Sequence, residues 1–338
     1  MKYYILDLSP HNSLVKYLVD QGHTVFMISW RNPDASDRDM GLEDYLHTGL
    51  GEAIQAVKAI THTQHIHAMG YCLGGTLLSI MAASLARDGD ETLKTLSFLA
   101  SQVDFEEAGE LKLLVDDSQL AFLDDVMWQQ GYLDKHQMAG AFQLLRTNDL
   151  IWSPIITDYM QGKRQSMNDL MAWNADATRM PYRMHSEYLR ELFLQNNLAE
   201  GRFMVSGSVV ALQDICAPIF SVGTVRDHVA PWKSVYKILL LTASDVTFVL
   251  TSGGHNAGIV SEPGHAGRSY QISTMANTAR YTPPGQWLTN TPTSDGSWWV
   301  EWHGWLDLHS SAKTKPPSMG SHHYPPLHDA PGSYVMMK

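Results

Sequence analysis

The chain is poor in cysteine, lacks any long apolar run and has fewer basic than acidic residues. Only Cys72 and Cys216 are cysteines among 338 residues. A single bridge is the most they could make, so a secreted disulfide framework is excluded and a reducing compartment is the simpler expectation. No window approaches the ~20 apolar residues of a membrane span. The N-terminal stretch Met1-Lys2-Tyr3-Tyr4-Ile5-Leu6-Asp7 is too short, and too soon interrupted by Asp7, to be a signal peptide. Lys and Arg number 24 against 35 Asp and Glu, a formal net charge of −11. That balance argues against nucleic acid as a partner, because phosphate binding needs a basic surface. A soluble cytoplasmic protein is expected. Hydrophobic content of 44% and charged content of 17% suit a globular chain with a sizeable core.

Against this background one hexapeptide stands out: Gly70-Tyr71-Cys72-Leu73-Gly74-Gly75. It reads G-x-C-x-G-G, a nucleophile elbow with cysteine in the place usually held by serine. The apolar run Ile66 to Tyr71 precedes it and a helical run, Thr76 to Arg87, follows. A strand-turn-helix junction forces its central residue into a strained backbone that projects the side chain from the sheet end. Gly70 and Gly74 are expected to leave room where a Cβ would clash. The alternative is a Gly-rich turn around a buried, inert cysteine.

Strand and helix signals alternate through the first hundred residues. Ser13 to Gln21 reads as a helix closed by Gly22, Thr24 to Trp30 as a strand buried on both faces, and Leu42 to His62 as a helix. The elbow strand and its helix follow, then a further buried strand at Thr95 to Ala100. This order predicts an α/β fold with a mainly parallel sheet. From about Asp104 to Met204 the pattern turns to short amphipathic stretches: Leu120 to Gly131, His136 to Leu145, Asp169 to Ala172 and Ser186 to Asn197. With no strand signal there, this segment reads as a helical cap over the active-site end. The predicted division is therefore 1–103 as the first part of the core, 104–204 as the cap and 205–338 as the second part with a C-terminal tail.

The sheet resumes at Ile219 to Val222 and Thr247 to Leu250. After Gly258 the chain reads as loop-rich. Trp298, Trp299, Trp302 and Trp305 form a packed aromatic segment, and Ser310 to Pro331 an extended surface tail. His322 and His323 have no metal-ligand spacing around them, and no metal site is expected.

An activated cysteine needs a base within reach, and the base needs an orienting acid. In sheets of this type the chain order is nucleophile, acid, histidine, each past a strand end. Asp227 follows the strand at Ile219, and His255, within Ser-Gly-Gly-His, follows what reads as the last strand. Asp227 could instead cap the helix near Trp232, and the adjacent His228 is a candidate accessory base. The ordered trio Cys72, Asp227 and His255 is the stronger reading, since three placements agree. Cys72 begins a helix, whose N-terminal partial charge favours the thiolate. The backbone N–H of Leu73 is the expected oxyanion donor. Cysteine suits a thioester substrate, because thiolate exchange keeps the acyl group activated for transfer.

Gly70 to Leu78 resembles the catalytic box of the polyhydroxyalkanoate synthases, most closely the class I, short-chain-length type. The resemblance extends through Lys2 to Leu8, His23 to Pro33, Asn148 to Trp152, Asp227 to Trp232 and Pro331 to Val335, and so covers essentially the whole chain. It implies an α/β-hydrolase fold with a mobile cap, acting as a homodimer. The implied substrate is an (R)-3-hydroxyacyl-CoA thioester, typically 3-hydroxybutyryl-CoA, and the product a polyester in cytoplasmic granules. It implies Cys72 as the acylated nucleophile, His255 as its base and Asp227 as third member, with Asp227 also helping to activate the attacking 3-hydroxyl. No metal or organic cofactor is implied.

Members of that family carry a further N-terminal domain, and a strand and loop before the segment matching Lys2 to Leu8. The chain is therefore expected to be N-terminally truncated, lacking a second oxyanion donor and exposing a sheet edge. Two other activities stay open: a cysteine-dependent hydrolase of thioesters or esters, and an impaired chain that binds a full-length synthase or a granule surface.

Overall fold

A computed structural model describes residues 2–134, 160, 167–176 and 178–338. Its centre is a six-stranded sheet: β1 (Ile66–Tyr71), β2 (Leu93–Leu99), β3 (Ile219–Thr224), β4 (Val246–Thr251), β5 (Ser269–Met275) and β6 (Thr293–Asp295). The strands lie side by side in chain order; the first four are parallel and the last two antiparallel. The α/β class and mainly parallel sheet expected from the sequence are present.

Alternation along the strands divides the core into layers. On β2, Leu96 and Phe98 join the cluster around Leu77, Leu78 and Ile80. Leu99, facing the opposite way, joins Trp298, Trp299 and Trp302. The first of these layers is covered by α3 (Leu73–Arg87), nearly all of whose middle turns are buried. The second is covered by α1 (Leu14–Asp20) and by α5 (Trp299–His309), with α2 (Glu52–Thr61) and α4 (Asp117–Gln130) completing the longer helices. Local chemistry sets the helix ends. Ser13 Oγ accepts from Lys16 N at 2.8 Å to open α1, and Asp116 caps α4 through Gln119 N at 2.8 Å. Gly131, at φ +83°, closes α4. Among the described residues, no helix is long and apolar enough to cross a membrane.

Three expectations change. Thr24 to Trp30 is not a strand: among the described residues it has no ladder partner, and Phe26 is 42% exposed. A short apolar run alone cannot tell a strand from another packed segment. Here Trp30 packs at a tilt against Tyr45, 5.2 Å between centroids, while β1 remains the outer strand among the described residues. The region after Gly258 is loop-rich, as expected, but it is not loop alone. It supplies β5, β6 and α5, so His255 does not follow the last strand. Polar alternation in β5, with Ser269, Gln271 and Ser273 between apolar positions, masked an antiparallel strand. Finally, the 104–204 segment contains short paired strands, Tyr132–Leu133 against Met180–Pro181. Its helical stretches are otherwise seen at Asp117–Gln130, Asp169–Ala175 and Tyr182–Leu194. The expected helix at His136 to Leu145 and the motif at Asn148 to Trp152 lie outside the described residues. The tail from Ser310 runs along the surface without long regular elements, as expected.

Candidate active site

The sheet register brings the ends of β1, β3 and β4 level: Tyr71 lies opposite Leu99, Leu99 opposite Val222, and Thr224 opposite Thr251. Cys72 follows β1 directly, and the loops after β3 and β4 carry Asp227 and His255. The three candidates, far apart in sequence, thus meet at one end of the sheet.

Cys72 sits at φ 53°, ψ −126°, a backbone that non-glycine residues seldom adopt. The turn is held because Gly70 faces the start of α3 at very short range. A Cβ on Gly70 would lie 2.4 Å from Gly75 Cα, and one on Gly75 would lie 2.0 Å from Ser101 Oγ. Gly74, by contrast, has open space around it. The glycine pair that the elbow needs is therefore Gly70 and Gly75, not Gly70 and Gly74. The sequence showed three glycines but not which of them faced the β1 backbone. Ser101 closes the arrangement by donating to Cys72 O at 2.8 Å.

The Asp227 side chain is fully buried. Its Oδ2 receives His255 Nδ1 at 2.8 Å and the Thr224 hydroxyl at 3.0 Å. Its Oδ1 accepts from the amides of Val229, 2.9 Å, and Ala230, 2.8 Å. These bonds fix the carboxylate and exclude the capping alternative: the helix at Trp232–Tyr236 is preceded by Pro231 and has no side-chain cap. With Nδ1 held by Asp227, the buried His255 Nε2 is left for the Cys72 side chain and has no other partner among the described residues. It is the nitrogen free to exchange a proton with Cys72 or a substrate.

Electrostatics couples the pair. Burial pushes the Cys72 thiol up, but the positive charge of His255 and the Leu73 amide outweigh it and hold the thiol below its ordinary value. Burial lowers His255, yet the Cys72 thiolate and Asp227 together raise it to about 10. Each group thus favours the charged form of the other, as a thiolate–imidazolium pair. The Leu73 N–H acts on the sulfur from the first position of α3, where no intrahelical acceptor exists.

The structure does not bring His228 to this pair. Its imidazole is half exposed and faces Glu110, with Nδ1 3.3 Å from Oε1. Residues that the sequence reading missed surround the trio. Tyr71 stacks on His255 and donates to His255 O at 3.2 Å and to Asn256 Oδ1. Trp298 and Trp299 donate to Gly258 O, 3.0 Å, and Ile259 O, 2.9 Å, anchoring the loop just after His255. Gln102, Tyr188 and Phe193 line the small cavity beside Cys72. Tyr71 sits within the hexapeptide, so its position was legible; its hydroxyl partners come from a loop nearly two hundred residues on.

Among the described residues, one group of possible metal donors lies elsewhere. His23, His303 and Asp307 bring donor atoms within 4.8 Å of one another. Sequence spacing carried no sign of it, since His23 precedes the sheet and the other two lie on α5. Lys313 places its charge beside the same His23, which disfavours a cation there.

A family model described as the alpha/beta hydrolase fold matches residues 6–261. The chain is 40% identical over 337 residues to a poly(3-hydroxyalkanoate) polymerase from Methylorubrum extorquens, covering 100% of this chain and 55% of that protein. It is 39% identical over 343 residues to a poly(3-hydroxyalkanoate) polymerase subunit PhaC from Rhizobium meliloti (strain 1021), covering 100% and 54%. The chain therefore spans about half the length of the curated relatives it matches. Among solved structures it is similar to a monoacylglycerol lipase from Paleococcus ferrophilus, with a TM-score of 0.45 and 12% identity over 88% of each chain.

Proposed function

The chain belongs to the alpha/beta hydrolase fold family, and on that premise we propose that it is an acyltransferase that joins (R)-3-hydroxyacyl-CoA units into a polyester, with 3-hydroxybutyryl-CoA as the leading substrate. The observation that carries this reading is a cysteine at the strained elbow beside the Asp227–His255 pair. It stands in a chain similar along its whole length to poly(3-hydroxyalkanoate) polymerases.

In the first step the Cys72 thiolate attacks the thioester carbonyl. The Sγ–C bond forms, the bond from carbon to the CoA sulfur breaks, and His255 gives its Nε2 proton to the departing thiolate. The neutral His255 then takes the proton of a second unit's 3-hydroxyl. That oxygen attacks the acyl-cysteine, an ester bond forms, and Cys72 leaves again as a thiolate. The starting ion pair is restored, so the cycle needs neither a metal nor an organic cofactor. Asp227 keeps the proton-bearing Nδ1 turned inward in both steps and steadies the imidazolium. The Leu73 amide stabilises the oxyanion that each attack creates.

Residues 104–204 are taken as the cap; Tyr188 and Phe193, from that segment, share a cavity with Cys72, which supports the reading. Action as a homodimer, in the cytoplasm and at the surface of polyester granules, belongs to the same proposal.

The test is incubation with (R)-3-hydroxybutyryl-CoA. CoA release together with insoluble polyester is expected, and Cys72→Ala should abolish both. Soluble 3-hydroxybutyrate without polymer would replace the reading with a cysteine-dependent hydrolase. No turnover, with retention on granules, would replace it with a binding chain.

A further inference from the structure

Beside Cys72 lies a polar group for which the steps above have no use. Gln102 is 5% exposed, and its Oε1 is buried with no hydrogen-bond partner among the described residues. Its Nε2 reaches only Val229 O, at 3.5 Å, a long and weak contact. Gln102 and Cys72 line the same small cavity, whose other walls include Leu73, Ala100 and Phe193. A buried acceptor with no donor is costly, and native interiors seldom leave one without a reason.

The backbone that presents this carboxamide is rigidly tied to the elbow. Thr76, on α3, donates its hydroxyl to Gln102 O at 2.8 Å. The preceding Ser101 donates to Cys72 O at 2.8 Å, and Ala100 turns the chain out of β2 at φ 45°. Gln102 thus holds a fixed place relative to the sulfur that carries the acyl group. Besides Gln102, Cys72, Tyr188 and Thr76, the residues lining that cavity are apolar: Leu73, Ala100, Phe193, Val229 and Ala230.

We propose that Gln102 is a specificity-determining residue that accepts a hydrogen bond from the 3-hydroxyl of the acyl group on Cys72. The inference rests on the acyltransferase reading above. A 3-hydroxyacyl chain carries one O–H donor two carbons from the thioester carbonyl, and an unpartnered buried acceptor beside the nucleophile matches it. A plain acyl chain of the same length has no such donor and would leave Oε1 unpaired. A site built to pair a substrate hydroxyl discriminates strongly against the analogue that lacks it.

The test compares the rates at which Cys72 of the unaltered protein is acylated by (R)-3-hydroxybutyryl-CoA and by butyryl-CoA, followed by intact mass. Both thioesters carry the same CoA amides, so their ratio isolates the hydroxyl. Gln102→Leu, with Gln102→Met as a second variant of different shape, should lower that ratio by about tenfold or more. Butyryl transfer should be retained, which also reports that each variant is folded. An unchanged ratio in both variants, or equal rates for the two thioesters in the unaltered protein, would overturn the role of Gln102 and leave the acyltransferase reading standing. Failure of both thioesters to acylate the unaltered protein would overturn the acyltransferase reading and this inference with it.

Discussion

Tyr71 and His255 are stacked, their ring centroids 5.4 Å apart and their planes 28° from parallel, and the tyrosine hydroxyl donates to the histidine's own carbonyl at 3.2 Å. The residue just before the nucleophile therefore grips the base from both its ring and its backbone. The same hydroxyl shares its single proton with Asn256 Oδ1 and so ties down the next residue as well. Tyr71→Phe keeps the stack and removes both bonds. It should cost about 1–3 kcal/mol of stability, the usual cost of leaving buried acceptors unpaired, read as a lower urea midpoint with unchanged slope. CoA release should fall in parallel, because the imidazole loses its backbone anchor.

The Cys72–His255 ion pair predicts a distinctive pH dependence. His255 is raised, to about 10, so its contribution to stability is fully present below its ordinary value and is lost as pH rises through about 10. Cys72 is lowered, chiefly by His255 working against burial. Its contribution is present above the ordinary thiol value and is lost as pH falls through the lowered one. The thiolate–imidazolium form thus occupies the window between the lowered Cys72 value and about 10. Alkylation of Cys72 by iodoacetamide should stay fast below the pH at which a free thiol loses reactivity. His255→Gln should move that inflection upward. An inflection that stays put in the variant would show that His255 does not set the thiolate.

Asp227 offers a separation of folding from chemistry. Asp227→Asn can keep an oxygen for the Val229 and Ala230 amides, 2.9 and 2.8 Å away, so the loop should remain folded. It cannot stabilise the imidazolium, and its amide favours the wrong tautomer. By analogy with triads of this kind the turnover should fall by up to ~10⁴. Asp227→Ala removes the acceptor for all four groups and should cost ~3–5 kcal/mol as well. Circular dichroism and CoA release on the two variants separate the effects.

What could be read from the sequence follows from the range of each interaction. The elbow was legible because a strand, three glycines and a helix are written within one short stretch, and β3 and β4 because both are fully buried runs. Asp227 and His255 were legible as loop positions after such runs. Thr24 to Trp30 misled because composition does not report whether a neighbouring strand is present. β5 was hidden because an antiparallel strand with one polar face looks like a loop rich in Ser and Gln. The hydroxyl partners of Tyr71, and the places of Gln102, Trp298 and Trp299 at the site, could not be read, since each depends on groups distant in sequence that only the fold brings near.

Gly74 and Gly75 test that distinction directly. They are adjacent, both lie in the first turn of α3, and nothing in the hexapeptide ranks one above the other. In the folded chain a Cβ at Gly75 would sit 2.0 Å from Ser101 Oγ and 3.0 Å from Gly70 O, whereas one at Gly74 meets nothing within 4 Å. Ser101 cannot simply turn away, because its hydroxyl donates to Cys72 O and so holds the nucleophile's own peptide. Gly75→Ala should therefore force β1 and α3 apart, costing about 1–3 kcal/mol, and should slow Cys72 acylation by displacing the sulfur from His255. Gly74→Ala replaces a flexible residue at an open helical position and should be neutral or stabilising by up to about 1 kcal/mol. Thermal unfolding and Cys72 alkylation rates on the two single variants check this. If Gly74→Ala proved the more damaging, the packing of the elbow against α3 described above would be wrong.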